Sequence, residues 1–522
     1  MNLFVSLLPI LLPFLFLVLL KMPAKKGMTL SFLIVLIGAY FFWDMSQVTL
    51  LASIIQGTHK AFGILIILFG AIIMMNILQM NGAIDRINLW FDELTQDMRI
   101  QAILIAFIFG GLIEGVAGFG TPAVVVAPLL VALGFKPITA AALALVSNSV
   151  PVPFAAVGTP IKIGLGNIST STDFLNEVAR TITSIEFLAG AFMPTIIVFM
   201  LLFFFAKDSK KQDYFEILPW TLFIGFTYTL VAKLVSITLG YEFVTIITVL
   251  IMLAISIASI KLGFLIPKHK WQNANEREED LTESDMSIIR AWLPYAIVIL
   301  LLIISRVIAP VKTFFQSAID LSINNILGIA EISSSLQLLY SPGFILIVVA
   351  ISSVFIQKSS TKNIKAASLL SLNTVKGAAL ALVPTLSMVQ IFSNSGINLS
   401  DLESMPVYLA TFLGEHLSGI WVFLAPYIGE LGSFITGSAT VSTLTFSPVQ
   451  YQIALDYGLN GTVILALQLL GGAAGNMICV HNVVSVATVV GVEGEEGNII
   501  NKTLLPALLY GFLVGLSAFI LF

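Results

Sequence analysis

Long apolar stretches alternate with short polar ones along all 522 residues. The apolar segments fall at 3–20, 28–43, 61–80, 101–135, 138–165, 184–206, 217–238, 241–260, 291–309, 342–357, 367–392, 406–447, 461–491 and 503–522. Most have the roughly 17 to 25 residues an α-helix needs to cross a bilayer. Two of them, 101–135 and 406–447, are too long for one simple span. The pattern predicts an all-α polytopic membrane protein with about 12–14 transmembrane segments, some of them interrupted or re-entrant. Residues 1–20 read as the first of these segments and not as a signal peptide, because Lys21, Lys25 and Lys26 follow the apolar run instead of preceding it.

The polar connections then set an orientation. Lysines cluster at Lys21/Lys25/Lys26, Lys207/Lys210/Lys211, Lys261/Lys268/Lys270 and Lys358/Lys362/Lys365, and the positive-inside rule places all four groups in the cytoplasm. Connections 44–48, 166–183, 310–340 and 393–405 carry few basic residues and belong outside. These assignments agree if each overlong segment enters and returns on one side, with the N-terminus outside. The expected organisation is a first transmembrane repeat at 1–206, a two-helix linker at 207–290 with a polar cytoplasmic loop and short amphipathic helix within 266–290, and a second, inverted repeat at 291–522.

Composition narrows the function. Apolar residues make up 58% of the chain and charged residues 10%, against about 25% charged in soluble domains, which excludes a soluble enzyme. A net charge of −4 without a dense basic patch leaves no footprint for nucleic acid. Cys479 has no thiol partner, and the four histidines (His59, His269, His416, His481) stand far apart, so neither a metal site nor a cofactor is expected.

Each half holds two apolar segments broken by Gly, Pro and small polar residues. They are 110–135 with 147–160, and 431–448 with 471–482. Paired breaks in inverted repeats point to a transporter's substrate site near the membrane midplane. In Gly118-Phe119-Gly120-Thr121-Pro122 the order spells a helix start, with Thr121 as cap and Pro122 in the first turn, and Gly158-Thr159-Pro160 repeats it. Two helix N-termini in one cavity suit a carboxylate. Ser147 and Asn148 open the second break. The second half offers Thr436, Ser438, Thr440, Ser442 and Thr443, then Asn476, His481 and Asn482, as neutral donors for a small polar ligand. The competing reading is that Gly and small hydroxyls only let helices pack closely.

Charges at membrane depth are functional hypotheses by default. Glu114 is a candidate carrier of a coupled proton, against the alternative that it braces the loop. His481 is the other candidate relay, against a merely hydrogen-bonded histidine. Lys162, in the first turn after Thr159-Pro160, either faces a carboxylate (substrate or Glu114) or snorkels to the interface. Lys233, Arg306 and Glu430 fall near expected helix ends and read as interfacial.

The stretches GGLIEGVAGFGTPAVVVAPLLVALGF (110–135) and LALVSNSVPVPFAAVGTPI (143–161) closely resemble the bacterial lactate permease family, which includes glycolate permeases. The resemblance continues through AWLPYAIVILLLIISR (291–306), GSFITGSATVS (432–442) and GGAAGNMICVHNVVSVATVVG (471–491), and departs from the family pattern at Ala439 and Ser442-Thr443. It implies uptake of L-lactate, often with D-lactate and glycolate, together with protons.

The expectation is therefore a proton-coupled symporter of L-lactate in the bacterial plasma membrane, its partners being the lipid bilayer, a small carboxylate and a proton. A homodimer is one assembly open to it. The alternatives are a glycolate or other organic-anion permease, sodium-coupled in one version, and an anion channel.

Overall fold

The computed structural model describes residues 2–118, 120–206, 209–272 and 285–522. Phe119, Lys207 and the middle of the polar loop, 273–284, lie outside the described residues, and the flanks of that loop at 262–272 and 285–287 are not helical.

Backbone in an apolar medium must satisfy its own hydrogen bonds, and the chain does so almost entirely with helices. In order they are α1 (Asn2–Leu19), α2 (Ala24–Phe41), α3 (Gln47–Met80), α4 (Ala83–Leu94), α5 (Met98–Val116), α6 (Thr121–Ala132), α7 (Pro137–Ser147), α8 (Ala155–Gly164), α9 (Thr172–Glu186) and α10 (Gly190–Phe205). Then come α11 (Lys211–Thr238), α12 (Val244–Lys261), α13 (Ile288–Val307), α14 (Ala309–Ser317), α15 (Pro342–Ile356), α16 (Lys362–Ser393) and α17 (Met405–Leu417). The last are α18 (Trp421–Thr436), α19 (Ala439–Asp456), α20 (Gly461–Gly475), α21 (Val480–Val489) and α22 (Glu496–Leu521). Among the described residues 10 helices are long and apolar enough to cross a membrane, or up to 12 when each bent pair counts as one span. Only the upper count reaches the low end of the expected 12–14.

Several boundaries differ from the sequence reading. The segment expected at 61–80 is a helix of 34 residues starting at Gln47, where Ser46 Oγ accepts from the Thr49 N–H at 3.1 Å. Its polar run at 56–60 stays helical because other segments satisfy it. Gln56 Nε2 donates to Ser333 O at 2.7 Å, and the His59 ring bonds Ser334 Oγ at 2.8 Å and Leu321 O at 3.0 Å. Residues 310–340, expected as a plain connection, form α14 and a small hairpin bridged at Asp320–Gln337 and Ile323–Ser334, which caps α3. The overlong segment 406–447 resolves into α17, α18 and the first half of α19, and 101–135 into α5 and α6. In both, the two arms flanking the glycine break pack against each other as a hairpin: α5 on α6, and α18 on α19. The other two interrupted segments, α7–α8 (bent by 64°) and α20–α21, do not fold back in this way.

Helices from the two halves pack into one layer. The two long helices α3 and α16 pack along each other, and α2 packs on α16 as α15 packs on α3. Behind them the hairpins and broken helices cross over: α6 contacts α21 and α19 contacts α8. At the lysine-rich face, fully buried Arg99 bonds Asp97 through Nε (2.9 Å) and Nη2 (2.5 Å), Asp213 O (2.6 Å) and His269 O (2.9 Å), tying the start of α5 to α11 and to the 262–272 segment.

Candidate functional site

Each hairpin turns on a glycine pressed against a broken helix. Gly120 precedes α6 with φ +74, and a Cβ there would lie 2.6 Å from Asn482 Oδ1. Gly437 ends α18 with φ +67, and a Cβ there would lie 1.5 Å from His481 Cε1. Both conditions, a left-handed backbone and no room for a methyl group, select glycine. The two hairpin tips therefore meet the start of α21 at adjacent residues, His481 and Asn482.

Capping differs from expectation. Gly120, not Thr121, occupies the cap position of α6, and Thr121 has no cap bond. A capping oxygen must sit on the non-helical residue that precedes the helix, and Thr121 is already one residue inside. Thr159 is not a cap either: its hydroxyl donates to Ala156 O at 2.6 Å, satisfying a carbonyl beside the left-handed turn at Ala156 (φ 43), Val157 (φ 59) and Gly158 (φ 75). In the second half Ser438 does cap α19, its Oγ accepting from the Val441 N–H at 3.3 Å.

One small cavity is lined by Glu114, Gly118, Gly120, Thr159, Gly437, Ser438, Thr440 and Asn476, with Val152, Ala155, Ala156, Pro160 and Ala439 completing its walls. A second, on the other side of Gly120, is lined by Gly120, Val124, His481, Asn482, Ser485 and the α3 residues Ile64, Ile67 and Leu68. The larger crevice between α10 and α22, lined by residues such as Phe199, Phe203, Leu505 and Leu509, is apolar and lies away from the breaks.

Polar atoms at the breaks remain unpaired to an unusual degree. Among the described residues no hydrogen-bond partner reaches Glu114 Oε2, Thr121 Oγ1, Ser147 Oγ, Asn148 Oδ1 or Asn476 Oδ1, all buried. Each such group costs about 1–3 kcal/mol, and native cores hold few of them. Asn148 ends α7 and Asn476 ends α20, so the two amides occupy matching places in the two halves. The Asn148 side chain hydrogen-bonds the Glu114 carboxylate, and the Asn482 amide donates to Asn476 O at 3.4 Å.

Other candidates sit elsewhere. Thr436 donates to Gly432 O at 2.7 Å, and Ser442 donates to Gly429 O at 2.8 Å while accepting from Gln468 Nε2 at 3.0 Å. Both hydroxyls are used within the second half of the chain. Thr443 is buried against Gly164. His481 Nδ1 lies 3.4 Å from Cys479 Sγ. Lys162 reaches Glu242 at 3.8 Å on an exposed edge, not Glu114. Lys233 lies over the Phe187 ring at 5.7 Å and Arg306 over Tyr340 at 3.6 Å, both toward helix ends.

The sequence reading misplaced Glu430. It is 3% exposed in the middle of α18, and neither carboxylate oxygen has a partner among the described residues. The signal was the length of 406–447, which left room for a break downstream of Glu430 rather than a helix end beside it. Glu186 is buried too, accepting from the Tyr510 hydroxyl at 3.4 Å. No group of three metal-binding side chains occurs among the described residues.

Known proteins match this sequence along nearly its whole length. A putative L-lactate permease of Haemophilus influenzae is 30% identical over 495 residues, covering 91% of this chain and 90% of the relative. The L-lactate permease of Escherichia coli K12 is 25% identical, covering 97% and 93%, and the glycolate permease GlcA of the same strain is 26% identical, covering 98% and 94%. The L-lactate permease family model matches residues 2–522. The chain, a multi-pass membrane protein, thus belongs to the L-lactate permease family.

Proposed function

We propose that this protein is a proton-coupled symporter of L-lactate, with D-lactate and glycolate as further substrates, in the bacterial plasma membrane. The observation that carries the reading is the convergence of both hairpin tips and both broken helices on one set of unpaired buried polar atoms. A carboxylate at the N-termini of α6, α8 and α19 meets the positive ends of three helix dipoles. Ser438, Thr440 and Asn476, which line the first cavity, bond the 2-hydroxyl in this reading, with Asn482 in the adjoining one. Names borne by the relatives, L-lactate permease and glycolate permease, support a short 2-hydroxy monocarboxylate as substrate.

The proton has an electrical reason. Moving a single negative charge against an inside-negative potential costs about 2.3 kcal/mol per 100 mV, and one co-transported proton removes that cost. Glu114, buried beside the cavity with one oxygen unpaired, is the carrier in this reading, and His481 is the second candidate. The two element sets, 1–206 and 291–522, are inverted repeats joined by the linker 207–290. The hairpins and broken helices move as one body against the α2–α3–α15–α16 layer.

The test is counterflow and pH-gradient-driven uptake of labelled L-lactate, D-lactate and glycolate in proteoliposomes. The reading expects accumulation above equilibrium that collapses with a protonophore. Accumulation that follows a sodium gradient instead would favour the sodium-coupled alternative, and equilibration without accumulation would favour a channel.

A further inference from the structure

Lactate and glycolate differ by a single methyl group, and the cavity that seats the carboxylate has one side suited to it. Carbon 2 of a 2-hydroxy acid carries a carboxylate, a hydroxyl, a hydrogen and one further substituent, which is methyl in lactate and a second hydrogen in glycolate. In the proposed function the helix starts take the carboxylate, Ser438, Thr440 and Asn476 take the hydroxyl, and Glu114 takes the proton. The Thr159 hydroxyl is already occupied by Ala156 O. Glycines apart, the rest of the lining is apolar: Val152, Ala155, Ala156, Pro160 and Ala439.

Two of these residues come from opposite halves of the chain and pack together. Among the described residues Val152, Ala439 and Ala473 form a buried apolar cluster of their own, separate from the main core. Backbone bonds hold both walls in place. The Val152 N–H donates to Ser149 O at 3.1 Å, and Pro151 O, just before it, accepts from Thr245 Oγ1 of α12 at 3.0 Å. Ala439 is the first residue of α19, next to the capping Ser438, and α20 lies behind it: a Cβ at Gly472 would be 3.4 Å from Ala439 Cβ. A wall fixed in this way neither retreats from a larger ligand nor closes on a smaller one. In such a site one methyl or methylene group is worth roughly tenfold or more in discrimination.

We infer that Val152 and Ala439 together form the subsite for the C3 methyl group of the transported 2-hydroxy acid, and that their size sets the length of side chain the protein accepts. The inference rests on the proposed transport function and adds to it the residues that separate L-lactate from glycolate on one side and from 2-hydroxybutyrate on the other.

The test measures half-saturation by glycolate, L-lactate and 2-hydroxybutyrate in counterflow, for full-length wild type, Ala439→Val and Val152→Ala. Ratios between substrates are the readout, because a change that only disturbs packing weakens all three alike. Wild type is expected to half-saturate with L-lactate at roughly a tenth of the glycolate concentration. Ala439→Val fills the subsite and should raise the lactate-to-glycolate ratio of half-saturation by about tenfold or more. Val152→Ala opens it and should lower the 2-hydroxybutyrate-to-lactate ratio by about tenfold or more. If Ala439→Val does not fold, Val152→Ala decides alone. A ratio within about threefold of wild type in either folded variant overturns the inference, as does equal half-saturation by L-lactate and glycolate in wild type. A wild-type protein that exchanges none of the three would instead overturn the transport reading.

Discussion

Glu114 and Gly437 show how single positions divide the work of the site. Glu114 is 2% exposed and has one carboxylate oxygen on Asn148 and one unpaired. Glu114→Gln keeps its shape but cannot load or unload a proton. Uptake driven by a pH gradient should fail in this variant, while exchange of internal for external lactate, which need not release the proton, should persist. Wild-type accumulation in Glu114→Gln would transfer the proton role to His481. Gly437 makes a steric forecast. Gly437→Ala places a methyl group where the His481 ring lies and holds alanine at φ +67, so it should abolish transport and lower the melting temperature. His481→Ala in the same chain should recover part of that stability, because it removes the clash and leaves only the backbone strain of about 1–2 kcal/mol. A double variant no more stable than Gly437→Ala alone would show that the ring is not what excludes the methyl group.

Elements depend on pairings that span the chain, and those pairings explain what the sequence could and could not disclose. The Asp97–Arg99 pair fastens the start of α5 to α11 and to the segment after α12. Arg99→Met should strand a buried carboxylate and cost about 3–5 kcal/mol, read as a large drop in unfolding temperature with lactate half-saturation unchanged in whatever protein folds. The breaks at 117–120 and 148–154 were legible because Gly and Pro inside apolar runs have local meaning. Their number and order follow the pattern of the chain. The cap at Gly120 was not legible, because Thr121-Pro122 offers the same local signal whichever residue turns left-handed. Nor was the helical state of Gln56–Lys60, which depends on partners at Leu321, Ser333, Ser334 and Gln390, more than two hundred residues away. The depth of Glu430 was hidden for the same reason, since α18 is placed by its packing on α20 and α22.

At the scale of the whole molecule, the proposed inversion of the two halves makes a chemical forecast. Cys479, the chain's single cysteine, is buried, so introduced cysteines report against a quiet background. In intact cells, exposed Asn324→Cys in the hairpin over α3 should react with an impermeant thiol reagent added outside, and exposed Ser360→Cys beside the lysine cluster should not. The reverse labelling would contradict the inverted arrangement. The central claim, that the transported carboxylate binds where the two hairpins and two broken helices meet, has a more direct test. Thr440 lines that meeting point on the second hairpin and is partly accessible. In proteoliposomes of a Thr440→Cys variant that still exchanges lactate, the rate of cysteine modification by a small thiol reagent should fall as L-lactate is added, with the half-saturation seen in counterflow. A modification rate indifferent to lactate at concentrations that saturate exchange would place the substrate elsewhere.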